Sequence, residues 1–258
     1  MIIDCHTHLS NSDSSVNLEE HEEVYAEMDG FFVLGGLHED RTRTNEQLNE
    51  YVAKNPKAVG FTAVNPVQDP VGKKEIKALT QHERIRGVVL YCPEEQFHPT
   101  HSRAMRLYER CQDMGLVVFF HNCPTYSPQA VMDYGRPWLL DEVARTFPDM
   151  KIIIGRMGLP FLEQGICMLS KHPNVFADLT ILPHKVWQVY NMVIGAYEGR
   201  VMDKLLFGSG YPSVKPDACI ELLLGFNKMF GDTHLPQVPR EKLRSIVERN
   251  SLETLGLK

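Results

Sequence analysis

Eight short apolar runs rich in β-branched residues recur along the 258-residue chain, and segments with helical periodicity separate them. The runs are continuously apolar, which is typical of parallel strands that are covered on both faces. This pattern predicts a single α/β domain over residues 1–258, folded as a (β/α)8 barrel. A doubly wound open sheet is the alternative, but no glycine-rich fingerprint follows the first run. The runs lie at residues 2–8, 31–34, 58–64, 85–91, 116–121, 151–154, 174–179 and 204–207.

Helical segments are clearest in the second half of the chain. After the fourth run, four buried-type residues recur at the spacing of one helix face: Ala104, Leu107, Tyr108 and Cys111. Gly115 is placed to end that helix, because glycine readily adopts the left-handed conformation that closes helices. Residues 139–147 predict a further helix, and Pro160 suits the first turn of one that ends near His172.

Composition excludes several classes of function. The formal charge of −6 and the lack of a Lys/Arg-dense stripe argue against nucleic acid as a partner. Six cysteines without a Cys-x-x-Cys spacing are typical of reduced thiols rather than a disulfide framework. No signal-type segment and no apolar stretch of membrane-spanning length is seen. We therefore expect a cytoplasmic protein that acts on small molecules and has no membrane partner.

Three histidines end two of the predicted strands. His6 and His8 close the first run at positions i and i+2, which share one face of a strand, and His121 ends the fifth. Active sites of such barrels lie at the C-terminal ends of the strands, so these rings are expected to meet there. Three imidazoles and a solvent molecule form an open, catalytic type of zinc site. The alternative is that each is a polar tip in a hydrogen-bond network. The same alternation places Cys5 on the opposite face, toward the helices.

Further polar residues at strand ends are candidates for binding the substrate. Arg156 follows the sixth run, where a guanidinium can hold a carboxylate or phosphate with two hydrogen bonds. Ser209 lies between two glycines before the last helix, a place where many barrels bind phosphate. Asp178 lies in the seventh run. A tight glycine turn at Ser209 and an ordinary hydrogen bond at Asp178 are the simpler explanations.

Tyr91 and Cys123 are the remaining catalytic candidates, together with Arg156. Cys123 lies two residues after His121, where a thiolate would be activated by an imidazole and could replace a metal ligand. A buried structural thiol is the commoner case. Glu94 and Glu95 follow the fourth strand and are the nearest candidates for a general base, unless they lie on a solvated loop. The long segment 122–137 is interpreted as a partial lid.

A series of local motifs in one order gives the chain a specific resemblance. They lie at residues 3–8, 86–90, 107–111, 118–121, 147–152, 171–175, 206–209 and 211–212. With these motifs the chain resembles the amidohydrolase superfamily, in the branch that includes aminocarboxymuconate-semialdehyde decarboxylase and related lactone hydrolases. The resemblance covers nearly the whole chain. It implies a metal-dependent hydrolase or decarboxylase and makes a homodimer plausible.

The resemblance also implies roles for particular positions. In the family, the paired histidines and the strand-five histidine bind the metal, with a further histidine after strand six. An aspartate after strand eight assists them and accepts a proton from bound water. This chain has Arg156 and Gly210 at those last two positions, and Tyr91 where a strand-four histidine is common. Guanidinium offers no lone pair to a metal, and glycine offers no base.

Two functions follow from these substitutions. The first is an amidohydrolase-like enzyme that hydrolyses or decarboxylates a small anionic substrate, with an atypical three-histidine metal site. The second is a catalytically degenerate barrel that binds an anionic metabolite or serves as a partner subunit. A carboxylate or thiolate within hydrogen-bond reach of a water near His6, His8 and His121 would favour the enzyme. Arg156 filling that space, or the lack of a proton acceptor nearby, would favour the binding protein.

Overall fold

A computed structural model of the chain describes residues 1–9, 18–37, 41–123 and 126–257. Eight strands form one parallel sheet in chain order, and each predicted run matches a strand to within one residue at either end. The predicted α/β barrel is therefore confirmed. The strands are β1 (Ile3–Thr7), β2 (Gly30–Leu34), β3 (Ala58–Ala63), β4 (Ile85–Leu90), β5 (Val117–Phe120), β6 (Ile152–Ile154), β7 (Val175–Thr180) and β8 (Leu205–Gly208).

The helices of the described residues alternate with the strands and surround the sheet. They are α1 (Leu18–Val24), α2 (Arg41–Lys54), α3 (Lys73–Leu79), α4 (Ser102–Asp113), α5 (Asp141–Thr146), α6 (Leu162–Lys171), α7 (Val186–Glu198), α8 (Pro216–Leu224), α9 (Arg240–Val247) and α10 (Ser251–Leu255). Gly115 has φ +67° just after α4, as predicted for a helix end.

Pro160 does not lie in the first turn of a helix, so that prediction is wrong. The helix that follows it, α6, begins at Leu162. Tight turns occupy the residues before it, because Phe161 N–H donates to the Gly158 carbonyl at 2.8 Å and Leu159 N–H to the Arg156 carbonyl at 3.2 Å. Residues 156–161 therefore form tight turns, and α6 begins only after them.

The first and last strands meet at the C-terminal edge of the sheet. Gly210 N–H donates to the His6 carbonyl at 2.9 Å, and His8 N–H donates to the Tyr211 carbonyl at 2.8 Å. These hydrogen bonds fix the residues after β8 directly beside the histidines of β1. The position where the family has its aspartate is therefore next to His6.

Two clusters of buried apolar side chains lie on the two faces of the sheet. The larger joins strand residues to the helices, and the smaller contains strand residues such as Phe32 and Phe119 together with Leu255 and Leu257 from the chain end. Cys5 belongs to the smaller, interior cluster, so its expected orientation toward the helices is wrong. The pairing of β1 with β2 is irregular between Asp4 and Thr7, and this irregularity breaks the simple alternation.

No helix among the described residues is both long and apolar enough to cross a membrane.

A buried histidine supports the outer side of β1. His21 of α1 is 1% exposed, its Nδ1 lies 2.9 Å from the Tyr51 hydroxyl, and its Nε2 lies 3.3 Å from Thr7 Oγ1. Its ring stacks on Tyr25 with centroids 4.6 Å apart. Burial lowers the pKa of His21 to about 4. β1, the strand that carries His6, therefore contacts a neutral His21 imidazole through Thr7.

This burial predicts a pH-dependent stability. Between pH 6.5 and 4 the unfolded chain protonates His21 and the folded chain does not, so the free energy of unfolding falls as the pH is lowered. This histidine alone contributes about 1.4 kcal/mol per pH unit in that window. Urea unfolding at a series of pH values gives the free energy of unfolding as a function of pH. The slope of this free energy against pH should be shallower by this amount in His21→Gln than in the wild type. Parallel curves for the two proteins would contradict the assignment.

Candidate metal centre

Three imidazoles converge at the C-terminal end of the barrel, where β1 and β5 end. His121 Nε2 lies 3.2 Å from His6 Nε2 and 3.3 Å from His8 Nε2. His6 and His121 are buried and His8 is half-buried, and their ligand atoms all lie within 4.8 Å of one another. The structure therefore brings together the three histidines that the sequence nominates.

The other ring nitrogen of each histidine faces a partner in the protein. His6 Nδ1 lies 3.2 Å from Asp178 Oδ1, His8 Nδ1 lies 3.2 Å from the Leu34 carbonyl, and His121 Nδ1 lies 3.7 Å from Cys123 Sγ. Metal-binding histidines are commonly held in this way, with the outer nitrogen donating its proton to an acceptor. His6 Nδ1 is close to Asp178 but is not aligned for a hydrogen bond with it. Hydrogen on each Nδ1 would leave the three Nε2 lone pairs for one ion.

Burial keeps the rings of His8 and His121 neutral. It lowers the pKa of His8 to about 3, with the nearby His6 as the next cause. Burial, His6, His8 and Arg156 together lower the pKa of His121 well below its usual value. In tetrahedral sites with metal–nitrogen bonds of about 2.0–2.1 Å, two ligand nitrogens lie about 3.3 Å apart. The observed separations of the Nε2 atoms therefore fit a divalent cation.

A fully buried carboxylate supports His6 from below. Asp178 in β7 accepts hydrogen bonds from Arg156 N–H at 2.8 Å, from Thr180 N–H at 3.0 Å and from the Thr180 hydroxyl. Burial opposes its ionisation, but the His6 ring and these donors hold its pKa below the usual value. Asp178 is thus an anion whose oxygens face His6, Thr180 and the Arg156 backbone.

A second buried carboxylate was missed by the sequence analysis. Asp4 accepts from His6 N–H and Ser209 N–H at 3.0 Å each and from the Tyr25 hydroxyl at 2.8 Å, so it ties β1 to the end of β8. Burial raises its pKa despite these donors. Its position two residues before His6 was the available signal. Ser209, predicted to bind substrate, is fully buried, and its Oγ accepts from Tyr211 N–H at 3.0 Å.

Arg156 and Gly210 occupy adjoining space. Arg156 has φ 51° and ψ 36°, a left-handed conformation, and only 4% of its surface is exposed. A Cβ on Gly210 would lie 3.8 Å from Arg156 Nη1 and 2.8 Å from Thr180 Cγ2. The guanidinium therefore lies beside the place where a side chain at position 210 would extend. The Arg156 contact would be an ordinary one, and glycine at position 210 is favoured instead by its φ of +71° and by the close approach to Thr180 Cγ2.

The charge of Arg156 is incompletely compensated. Burial lowers the pKa of its guanidinium, and the Asp178 carboxylate acts in the opposite direction. Its Nε is buried and has no hydrogen-bond acceptor among the described residues. A buried donor without a partner is costly, and a ligand oxygen would relieve that cost.

Tyr91 and Cys123 both contact His121. The Tyr91 ring lies 4.7 Å from that of His121, centroid to centroid, and its hydroxyl donates to the Gly35 carbonyl at 2.6 Å. Cys123 lies on the Nδ1 side of His121, so the imidazole stands between the thiol and the three Nε2 atoms. These two candidate catalytic residues therefore both contact the His121 ring.

The two glutamates after β4 differ in environment. Glu95 pairs with Arg41, although burial still raises its pKa to about 7. Glu94 has both carboxylate oxygens enclosed without an aligned hydrogen-bond donor among the described residues. It lies beside the Cys123 thiol, and burial raises its pKa. Glu94 is therefore not on a solvated loop.

The predicted lid lies close to this group. Residues 124 and 125 of the segment 122–137 fall outside the described residues. Tyr134, Arg136 and Pro137 border a small cavity together with His121. Arg136 packs on the Phe161 ring, with its Cζ 5.0 Å from the ring centroid, and pairs with Asp133. The described part of the segment thus covers the outer end of β5.

The fold and site define a class of protein, a (β/α)8 barrel with a three-histidine group at the C-terminal ends of its strands. A family model described as amidohydrolase matches residues 3–257, so the chain belongs to the amidohydrolase family. The suspected resemblance is therefore confirmed at the family level. No curated protein matches the chain.

Solved structures with the same fold include hydrolases and decarboxylases. A probable 2-pyrone-4,6-dicarboxylic acid hydrolase from Acinetobacter baumannii, with citric acid bound, has 14% identity and a TM-score of 0.72, with 99% of both chains covered. An uncharacterised TIM-barrel protein from Bordetella bronchiseptica has 18% identity and a TM-score of 0.70 over 99% of both chains. A dihydroxybenzoic acid decarboxylase from a Polaromonas species, with bound manganese and the inhibitor 2-nitroresorcinol, has 16% identity and a TM-score of 0.65, covering 99% of this chain and 97% of its own.

Proposed function

We propose that this protein is a metal-dependent hydrolase or decarboxylase of a small anionic substrate. The observation that carries the proposal is the convergence of three imidazole Nε2 atoms at the C-terminal end of the barrel. His6, His8 and His121 would hold a divalent ion, with zinc the first candidate for an all-imidazole donor set. Such an ion supplies Lewis-acid polarisation of a substrate oxygen.

Arg156 would bind the anionic group of the substrate. Its guanidinium is buried beside Gly210, where no side chain competes for it, and its Nε lacks an acceptor in the described part of the protein. A carboxylate can accept two parallel hydrogen bonds from a guanidinium, which fixes its orientation as well as its position. The bound citric acid of the probable 2-pyrone-4,6-dicarboxylic acid hydrolase, a carboxylate, supports an anionic substrate.

The alternative is an anion-binding barrel without catalysis. The observation that favours it is that Gly210 offers no base and that Arg156 fills the adjoining space. Against it stands the convergence of three imidazoles, because a protein that only binds an anion through Arg156 needs no such donor set. The two functions make different predictions for the same purified protein.

Elemental mass spectrometry on protein expressed with zinc, manganese and iron supplied tests the proposal. We expect about one ion per chain, as for an open three-histidine site. The loaded protein should then turn over members of a panel of carboxylated lactones, amides and hydroxybenzoates. Binding of these compounds without turnover and without metal would establish the anion-binding barrel and overturn the enzyme.

Arg156→Gln should weaken binding of an anionic probe while leaving metal content unchanged. Hydrogen bonds to charged groups contribute about 1.5–3 kcal/mol, so the affinity for 2,6-dihydroxybenzoate should fall about 10- to 100-fold. Isothermal titration calorimetry measures this change. Arg136→Gln is the matched control, because that guanidinium is more exposed and already pairs with Asp133. Equal losses in the two variants would show general charge attraction instead of a specific clamp.

A further inference from the structure

A small cavity lies on the β2 side of the three-histidine group, and His8 forms part of its wall. Its volume is about 30 Å³. One water molecule needs about 10–15 Å³ by this measure, so the cavity has room for two waters or for a neutral group of similar size. Its apolar side chains come from the ends of β1 and β2 and from α2, and they are Leu9, Leu34 and Leu48.

The charge of this cavity sets what it can hold. No lysine or arginine lines it among the residues that the structure describes. Arg41, at the start of α2, is engaged elsewhere, because it pairs with Asp69 at 3.0 Å and with Glu95 at 2.5 Å. An anionic group in the cavity would therefore lose its hydration without gaining a cation, which is costly.

The hydrogen-bonding groups of the wall favour a ligand that donates. The Thr44 hydroxyl already donates to the Arg41 carbonyl at 3.1 Å, so its oxygen can only accept a further hydrogen bond. The Gly35 N–H is also used, because it donates to the Phe61 carbonyl at 2.8 Å. The Gln47 side-chain amide can donate or accept. A hydroxyl or a carboxamide can thus donate to Thr44, whereas an ionised carboxylate cannot.

This cavity and Arg156 lie on opposite sides of β1. Leu34, at the end of β2, lines the cavity, and β2 pairs with one edge of β1. The Arg156 guanidinium lies beside Gly210, whose N–H donates to the His6 carbonyl at the other edge of β1. The histidines of β1 therefore stand between the cavity and the arginine.

We propose that the cavity binds the neutral end of the substrate while Arg156 holds its anionic end. We call it the α2 subsite, and the residues that form it are Leu9, Leu34, Thr44, Gln47 and Leu48. The substrate class is then a monocarboxylate that carries a small neutral donor group, such as a hydroxyl or a carboxamide, and not a dicarboxylate. This inference rests on the proposed function and specifies its substrate.

Two pairs of ligands test the preference for a neutral group. In 3- and 4-carbamoylbenzoate an amide stands where isophthalate and terephthalate have their second carboxylate, so the members of a pair differ in charge and hardly in shape. Isothermal titration calorimetry should show the better carbamoylbenzoate binding about 10- to 100-fold tighter than its dicarboxylate, the cost of leaving a charged group without its hydrogen bonds. Equal or tighter binding of the dicarboxylates would overturn the subsite. So would the failure of both carbamoylbenzoates to bind to protein that binds benzoate.

Variants at Gln47 locate the preference in the α2 subsite. Gln47→Lys adds a cation there and should reduce the preference for the monoanion about 10-fold, the effect of one hydrogen bond to a charged group. Gln47→Glu adds an anion of nearly the same shape and should increase the preference. Thr42→Lys is the matched control, because it adds the same charge as Gln47→Lys at an exposed position of α2. Equal changes in the two lysine variants would show general charge attraction and would contradict a specific subsite.

Binding is a readout that needs neither metal nor turnover, so the two proposals can fail separately. Circular dichroism establishes that each variant is folded. Wild-type protein that shows the Gln47-dependent preference but takes up no metal and turns over no ligand would refute the proposed enzyme and leave the subsite standing. Metal-loaded protein that turns over dicarboxylates as well as monocarboxylates would refute the subsite and leave the enzyme standing.

Discussion

Asp178→Asn is expected to destabilise the barrel by about 3–5 kcal/mol, the range seen when one partner of a buried charge pair is removed. Asp178 is fully buried, and its two oxygens face three hydrogen-bond donors as well as His6 Nδ1. An amide of the same shape would turn an N–H toward one of them. It would also remove the negative charge that compensates the buried Arg156 guanidinium.

Urea denaturation at pH 7 measures this loss as a lower midpoint at unchanged slope. Asp141→Asn is the matched control, because Asp141 pairs with Arg145, Lys171 and His172 while remaining partly exposed. Such surface pairs contribute up to about 1 kcal/mol. Adding Arg156→Met to Asp178→Asn should restore part of the stability, since no buried charge is then left alone. A double variant less stable than Asp178→Asn would refute the charge coupling.

The architecture of this protein could be predicted because each strand is marked by a short stretch of its own sequence. Each strand is a short apolar run, and burial on both faces of a parallel strand makes such runs continuous. The convergence of His6, His8 and His121 followed from the same information, because parallel strands bring their C-terminal ends to one edge of the barrel. Once the strands were placed, the edge of the barrel at which these three residues lie followed directly.

The supporting contacts could not be predicted in this way. The orientation of Cys5 depends on an irregular strand pairing, which the sequence does not reveal. The contacts of His6 with Asp178 and of His121 with Cys123 depend on side-chain rotamers at the barrel mouth. Sequence reasoning treated Arg156 and Gly210 as two separate losses. The structure places them side by side, with the Arg156 guanidinium next to the position where a side chain at 210 would extend.

His121→Ala should abolish stoichiometric metal binding while the barrel stays folded. His121 Nε2 is the atom that lies close to both other imidazoles, so its loss leaves His6 and His8 as a two-ligand site. Removal of an outer partner already costs about 10- to 100-fold in metal affinity, and removal of a direct ligand should exceed this. Elemental mass spectrometry should show the ion content falling from near one per chain to below about a tenth, as expected when three ligands become two.

The matched control is His98→Ala, in the loop after β4. His98 is half-buried and hydrogen-bonds to Thr100 within its own loop, so its removal tests for metal bound loosely by histidines in general. His121 packs against Tyr91 and Phe119, so some loss of stability is expected from the cavity in His121→Ala. Circular dichroism separates this loss from unfolding. Metal content that is unchanged in a folded His121→Ala variant would place the ion elsewhere and would remove the three-histidine centre from the proposed function.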